Sequence, residues 1–278
     1  MTNSPLGIVA GGGDLPRAVA QSARESGREV FVLALAGLAG DWVREFSHET
    51  VSLGEVGKAL RALKDHSCHE MLLVGRVDRP RFADIKLDAK GVLVAPRVIA
   101  AARKGDDALL RSLVDIFENA GHRVISVTEA APGLVLRAGI LGRIHPTAEQ
   151  EADIAQAFAI VRAMGALDIG QAAVVCDGLV LAVEAAEGTD AMIKRVATLR
   201  EAVRGQKGKP RGVLVKAPKP VQDRKTDLPV IGVETLRNAA ASYLAGIAVE
   251  ADGALILDRA RVIEAADAEG LFIAGVAR

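Results

Sequence analysis

Four residues that could do chemistry crowd into one short stretch: Glu184, Glu187, Thr189 and Asp190. Carboxylates gathered where a strand gives way to a helix can hold a divalent cation through their oxygens. The same point can face an anion with backbone N–H groups that the first helical turn leaves unpaired. Helix capping beside a solvated acidic loop would use these residues for structure alone. A second set lies downstream in Lys216-Ala217-Pro218-Lys219-Pro220-Val221-Gln222-Asp223-Arg224-Lys225-Thr226-Asp227-Leu228-Pro229. Its prolines and charges rule out a helix or a regular central strand. Such a loop needs a reason to be ordered, and ligand binding is a common one. Asp227 closes the charged run and is followed by Leu228-Pro229-Val230-Ile231, whose apolar side chains would anchor it. Pro229 also biases Leu228 towards an extended backbone. A carboxylate on so fixed a stem can be aimed, unlike Asp223 within the loop; capping a turn is the alternative use of Asp227.

Two further groups lie in the first half. Gly11-Gly12-Gly13 follows an apolar run and can form a nest of N–H groups for a phosphate or a uridine, or serve only as a tight turn. A dinucleotide fingerprint is defective here. Pro16 stands where the third glycine or alanine belongs, and no acid closes the second strand to hold a ribose. Arg76 and Arg79 follow an apolar strand, at the edge where α/β sheets take ligands. They could clamp a phosphate or make surface salt bridges.

These groups need elements to hold them. Residues 6–10 read as a buried strand, a helix follows to about 26, and residues 29–36 read as a second strand. Residues 50–53 suggest a third strand, 56–64 a helix and 70–75 another strand. Residues 92–103 and 106–119 read as helices separated by Lys104-Gly105-Asp106-Asp107, and 122–127 as a strand. Alternation of this kind predicts a Rossmann-like parallel sheet. Ala131-Pro132-Gly133 and residues 139–146 interrupt the pattern, which places a boundary between domains 1–134 and 135–278. Thr147-Ala148-Glu149-Gln150 is a capping box, and the helix behind it carries Ile154, Phe158, Val161 and Met164 on one face. Residues 172–176 and 179–183 are strands joined by Asp177-Gly178, the dipeptide that type I′ hairpins prefer. A helix capped by Thr189 follows, with Met192, Ile193, Val196, Leu199 and Val203 on one face. Residues 212–215 read as a strand and 234–243 as a helix. Strands at 247–250 and 254–257 flank Asp252-Gly253, Asp258 begins a helix, and 271–276 is a final strand.

The bulk properties narrow the classes. With 278 residues, half of them hydrophobic, the chain can bury a large core or two ordinary ones. Lys plus Arg and Asp plus Glu both total 35, and aromatic residues make up 3%, so neither a basic surplus nor a base-stacking platform argues for nucleic acid. Cys68 and Cys176 lie in apolar surroundings and read as buried thiols. The N-terminus lacks a signal-peptide pattern and no apolar run approaches a membrane span, so the expected home is the cytosol.

Taken together, several segments carry a resemblance. They are AGGGDLP at 10–16, ARKGDDALLR at 102–111, LDIGQAAVV at 167–175, LAVEAAEGTDAMI at 181–193, KAPKP at 216–220 and DLPVIG at 227–232. In this order the chain resembles the UDP-2,3-diacylglucosamine pyrophosphatases of lipid A synthesis, the type unrelated to calcineurin-like phosphoesterases. It departs from that family's pattern at 222–226. The resemblance implies an α/β protein of two domains around a shared cleft: an N-terminal Rossmann-like parallel sheet and a C-terminal mixed α/β domain. It implies metal-assisted hydrolysis of UDP-2,3-diacylglucosamine to UMP and 2,3-diacylglucosamine 1-phosphate, with magnesium or manganese as cofactor. A pyrophosphate needs its charge neutralised before water attacks, and magnesium takes carboxylates, water and phosphate oxygens together.

The expected assignments follow. Asp227, Asp190 and Glu187 are the catalytic acids, and the same three with Asp223 hold the metal. Gly11, Gly12, Gly13, Arg76, Lys104, Asp106, Asp107, Thr189, Lys216 and Lys219 contact substrate. The partners are the UDP-lipid and its lipid product, with at most peripheral inner-membrane association, and a homo-oligomer is compatible with these features. Two other classes compete: a non-catalytic lipid or nucleotide carrier, and a nicotinamide-dependent oxidoreductase built on the first glycines.

Overall fold

A computed structural model describes residues 4–77, 81, 85–219 and 228–277, leaving out the side chains of residues 106 and 107. The chain falls into two compact units, the first running to Gly133 and the second beginning at Leu134.

The first unit contains β1 (Leu6–Ala10), α1 (Leu15–Glu25), β2 (Val30–Leu35), β3 (Ser47–Val51), α2 (Val56–Asp65), β4 (Glu70–Val74), α3 (Ala89–Ala102), α4 (Asp106–Glu118), β5 (Arg123–Val124) and α5 (Val127–Ala130). Its strands form one parallel sheet in the order β3-β2-β1-β4-β5. β1, β2 and β4 are continuous apolar runs because helices cover both faces of a parallel sheet. Leu6, Ile8, Leu33, Met71 and Leu72 are accordingly inaccessible to solvent. The strand order reverses between β1 and β4, so the crevice past their carboxyl ends is the switch point where such sheets take ligands. Gly11, Gly12, Gly13 and Arg76 lie there.

Local chemistry moves several expected boundaries. The third strand lies at Ser47–Val51 rather than 50–53. The helix expected from 92 starts at Ala89, because Asp88 caps it by accepting the Gly91 amide at 2.7 Å. The strand expected over 122–127 shrinks to Arg123–Val124. Ser126 instead opens α5, its hydroxyl taking the Glu129 amide while Glu129 returns a bond to the Ser126 amide. This capping box overrides the β-branched residues around it.

The second unit contains β6 (Gly139–Leu141), α6 (Ala148–Ala166), β7 (Ala172–Cys176), β8 (Leu179–Val183), α7 (Thr189–Ala197), β9 (Val213–Lys216), β10 (Val230–Ile231), α8 (Val233–Ala241), β11 (Gly246–Glu250), β12 (Leu255–Ile256), α9 (Arg259–Glu269) and β13 (Phe272–Val276). Six strands form a mixed sheet in the order β6-β13-β11-β9-β7-β8. β9, β11 and β13 are parallel, and β6 and the β7–β8 hairpin run antiparallel at the two edges. Alternate residues of β7 serve two cores. Val175 packs with Ile154, Phe158 and Val161 of α6, whereas Val174 packs with Met192, Val196, Leu236 and Val262 of α7, α8 and α9. The unit is therefore a three-layer sandwich with helices on both faces of the sheet.

The Thr147 capping box forms as expected. The hairpin turn does too, with Asp177 at φ 50° and Gly178 at φ 76°, the positive pair that a type I′ turn requires. Buried Asp153 of α6 fixes that turn by accepting the amides of Asp177 at 2.9 Å and Gly178 at 2.7 Å. Three expectations change. Part of the 139–146 interruption is the edge strand β6. β12 does not pair with β11 across Asp252-Gly253 but leaves to join β10 in a separate parallel pair. α7 stops at Ala197, so Leu199 and Val203 reach the same core from beyond the helix.

Candidate functional site

The candidate site is built from one edge of the six-stranded sheet. β9 ends there at Lys216, which pairs with Ala172 at the start of the antiparallel β7. β8, antiparallel again, brings its own end to the same edge, where the Glu184 amide donates to the Ala172 carbonyl at 2.9 Å. The residues just outside the strands therefore meet: Gln171 before β7, Glu184 after β8, and Lys216 with its successors after β9. The approach is close enough that a Cβ on Gly170 would overlap the Glu184 carbonyl oxygen, which is why a glycine precedes Gln171. Three of the segments that carried the resemblance thus converge in space.

The side chains at this edge are buried and polar. Glu184 is 6% exposed, and its carboxylate accepts from the Thr189 hydroxyl at 2.8 Å and the Gln171 amide at 3.2 Å. Burying a carboxylate is costly without such donors. Lys216 is also 6% exposed, and its Nζ donates to the Val230 carbonyl at 3.2 Å. Lys219 pairs with Asp168 at 2.7 Å. The Gln171 side-chain oxygen is buried without a hydrogen-bond partner among the described residues. Buried polar atoms are nearly always bonded, so this one points to a ligand or water.

The expected acids and their neighbours take separate partners. The N-cap of α7 is Gly188, at φ 79°, and not Thr189, which is the first helical residue and gives its hydroxyl to Glu184. Asp190 sits in the first turn as expected, where the helix dipole favours it, and accepts from Asn238 of α8 at 3.0 Å. Glu187 takes Arg195 at 2.9 Å and the Ala185 amide at 3.1 Å. A bond to its own backbone amide, and then Arg195, hold its carboxyl below the usual range. Among the described residues no group of three or more acids, histidines or cysteines is placed to hold a cation. Asp223, Asp227 and Arg79 lie outside the described residues. The stem after Asp227 is described and is anchored: Leu228 is 8% exposed, Ile231 is fully buried, and the Pro229 carbonyl accepts the Leu255 amide at 2.8 Å.

In the first unit the glycine run goes largely to the tight turn that was the alternative to a nest. The Gly11 amide donates to the Val74 carbonyl and the Gly12 amide to the Arg76 carbonyl, both at 2.8 Å. Two of the three N–H groups are thus spent on stitching the turn after β1 to the end of β4. A Cβ at Gly11 would meet the Arg76 carbonyl oxygen at 2.8 Å, so this glycine serves close backbone approach. Lys104 is exposed between α3 and α4, and Asp106 and Asp107 open α4. Both cysteines are buried. Burial pushes the Cys68 thiol up to about 11 and raises Cys176 as well, so neither suits nucleophilic work. Sequence reasoning missed Gln171, Asp168 and Asn238. The Gly-Gln pair before an apolar strand was a usable signal for the first, whereas nothing in the α8 pattern distinguished Asn238.

Comparison with known proteins bears on the whole chain. A family model described as the LpxI N-terminal domain matches residues 5–134, and one described as the LpxI C-terminal domain matches residues 137–274. A curated protein of Caulobacter vibrioides, named UDP-2,3-diacylglucosamine pyrophosphatase LpxI, is 48% identical over 271 residues, covering 98% of this chain and 97% of that protein. Among solved structures, a glycinamide-RNase-transformylase T from Mycobacterium tuberculosis aligns with 75% of this chain and 46% of that one, at 11% identity and a TM-score of 0.23. An N5-carboxyaminoimidazole synthetase from Staphylococcus aureus aligns with 62% of this chain and 38% of that one, at 18% identity and a TM-score of 0.22. This chain spans less than half of either structure, and likenesses at those scores carry no argument.

Proposed function

The chain belongs to the LpxI family, and from that membership we propose that it hydrolyses the pyrophosphate of UDP-2,3-diacylglucosamine to UMP and 2,3-diacylglucosamine 1-phosphate, a step of lipid A synthesis. The observation that carries the reading is the near full-length identity to a protein named for that activity. The polar edge of the second unit supports it. Lys216 and Lys219 bring positive charge to a place where a phosphoanhydride needs it, and Glu184 with Thr189 forms a fixed hydrogen-bonded floor beside them. The substrate contacts of this reading are Lys216, Lys219 and Thr189 in the second unit, and Gly13, Arg76, Lys104, Asp106 and Asp107 in the first. The reading includes at most peripheral attachment to the membrane; among the described residues no helix is long and apolar enough to cross one.

The proposal includes a divalent cation, because a pyrophosphate presents adjacent anionic oxygens that a metal neutralises and orients. Glu187 and Asp190 do not make a cation site by themselves, since Arg195 and Asn238 engage them. The metal reading therefore leans on Asp223 and Asp227, with Asp227 binding the cation or orienting the attacking water. Incubating the purified chain with UDP-2,3-diacylglucosamine and magnesium, followed by phosphorus analysis, tests the activity. UMP and the lipid 1-phosphate should appear together. Bound but intact substrate would make the chain a carrier.

A further inference from the structure

Within the first unit, α3 and α4 pack against each other across the short link at Lys104-Gly105, where Gly105 takes φ 124°. Between them lies an open cavity of about 320 Å³, lined by Arg97, Lys104, Arg111, Ser112 and alanines. Its size is at the lower end of ligand pockets, which run from about 300 Å³ upward. Cations come from both helices and from the link between them, with Arg97 on α3, Lys104 just after its end and Arg111 on α4. No lining side chain among the described residues is acidic. Arg97 is held from the side by an ion pair with Asp115 of α4, which fixes the guanidinium while leaving it further donors. The alanine at position 108, in the first turn of α4, lines the same space, so the positive end of that helix adds to the field.

A second, independent observation marks the cavity as a site. Ser112 is 5% exposed, and its hydroxyl has no hydrogen-bond partner among the described residues. A helical serine ordinarily returns its proton to a carbonyl one turn back, so a buried hydroxyl left unbonded calls for an acceptor from elsewhere. We propose that this cavity binds a phosphoryl group, with Arg97, Lys104 and Arg111 supplying charge and Ser112 a hydrogen bond. Apolar surface continues the site along α3: Leu93, one turn before Arg97 on the same face, is 76% exposed. A charged pocket beside a bare aliphatic side chain fits the phosphoryl group of an amphiphile. The inference deepens the assignment of Lys104 to substrate, yet binding here does not require that hydrolysis occur.

Titration calorimetry of the full chain in EDTA tests the site with three probes: inorganic phosphate, UMP, and dihexanoyl phosphatidic acid below its micelle concentration. The phosphatidic acid should bind and should weaken with added salt. Lys104→Gln and Arg97→Gln should each weaken it by about tenfold, as the loss of a charge-assisted contact does. Leu93→Ser should weaken the lipid probe and leave the other two unchanged. Equal binding of all three probes, indifferent to Leu93→Ser, would keep the phosphoryl site and identify free phosphate as its source. Absence of binding by every probe overturns the inference. So does binding unchanged in both charge variants when they melt like the parent, with the exposed Lys104→Gln deciding if Arg97→Gln fails to fold. Turnover is read separately: variants and parent that bind phosphatidic acid without hydrolysing UDP-2,3-diacylglucosamine would overturn the proposed function and leave this site standing.

Discussion

Two carboxylates separate catalytic from structural roles at the level of single residues. Asp227 precedes a stem, Leu228 to Ile231, that is anchored by its own side chains and backbone. If it only caps a turn, Asp227→Ala costs about 1 kcal/mol and leaves most activity. If it aims at metal or water, turnover falls by about 100-fold or more while melting and substrate binding persist. A folded Asp227→Ala protein with near-normal turnover would move the assignment to Asp190 and Glu187. Glu187 makes the opposite case. Its folded carboxyl is held below the ordinary value of 4.5, by its backbone and by Arg195. A lowered carboxyl stabilises the fold at pH above its unfolded pKa and loses that contribution as pH falls through the folded one. Glu187→Gln should therefore melt below the parent at neutral pH and match it in strong acid. A melting difference independent of pH would remove the Arg195 pairing as its cause. Asp227 could be singled out from sequence because charge and the apolar run adjoin along the chain. The pairing of Glu187 with Arg195 could not, since both also fit a cation site or a solvated loop.

Elements explain what position along the chain conceals. The Asp177-Gly178 hairpin and the Thr147 capping box were legible because each is decided within four residues. β6 was not: it is three residues long and is a strand only because a distant partner, β13, accepts it, and β12 was legible as a strand but not as the partner of β10. The glycine run left a phosphate nest and a tight turn both open, because sequence shows which residues lack a Cβ but not which carbonyls take their amides. The site edge depends on one such contact. Gly170→Ala would place a Cβ against the Glu184 carbonyl, an overpacking that costs about 1–3 kcal/mol and shifts Glu184. The expected result is a lower melting temperature together with reduced turnover. Gly188→Ala is the control. Its φ of 79° makes alanine strained by about 1 kcal/mol, but nothing lies within 4 Å of the added carbon. It should lose stability and keep most activity. Equal activity in the two variants would detach Glu184 from the reaction.

The whole molecule must draw a diacylated substrate from a bilayer without a spanning helix among its described residues. High salt or carbonate should release it from membrane fractions, and retention through both would refute peripheral attachment. Charge sets the last requirement. The chain is formally neutral, so no broad positive field steers a doubly anionic pyrophosphate to it. Neutralisation has to be local. At the edge of the second unit the proposed reading takes it from Lys216, whose ammonium is tied to the Val230 carbonyl, and Lys219, which shares its charge with Asp168. Two partly committed lysines leave a bridging phosphoanhydride under-compensated, while Asp190 and Glu187 add negative charge nearby in sequence. A divalent cation reverses that balance, because it binds acids and phosphate oxygens at once. EDTA should therefore abolish UMP release, and magnesium or manganese should restore it. The melting temperature without substrate should barely move, since Glu184, Glu187 and Asp190 already have partners within the fold. Full turnover in excess chelator would eliminate the metal and leave the two lysines to stabilise the departing phosphate alone; Lys216→Met should then cost far more than the loss of one auxiliary contact.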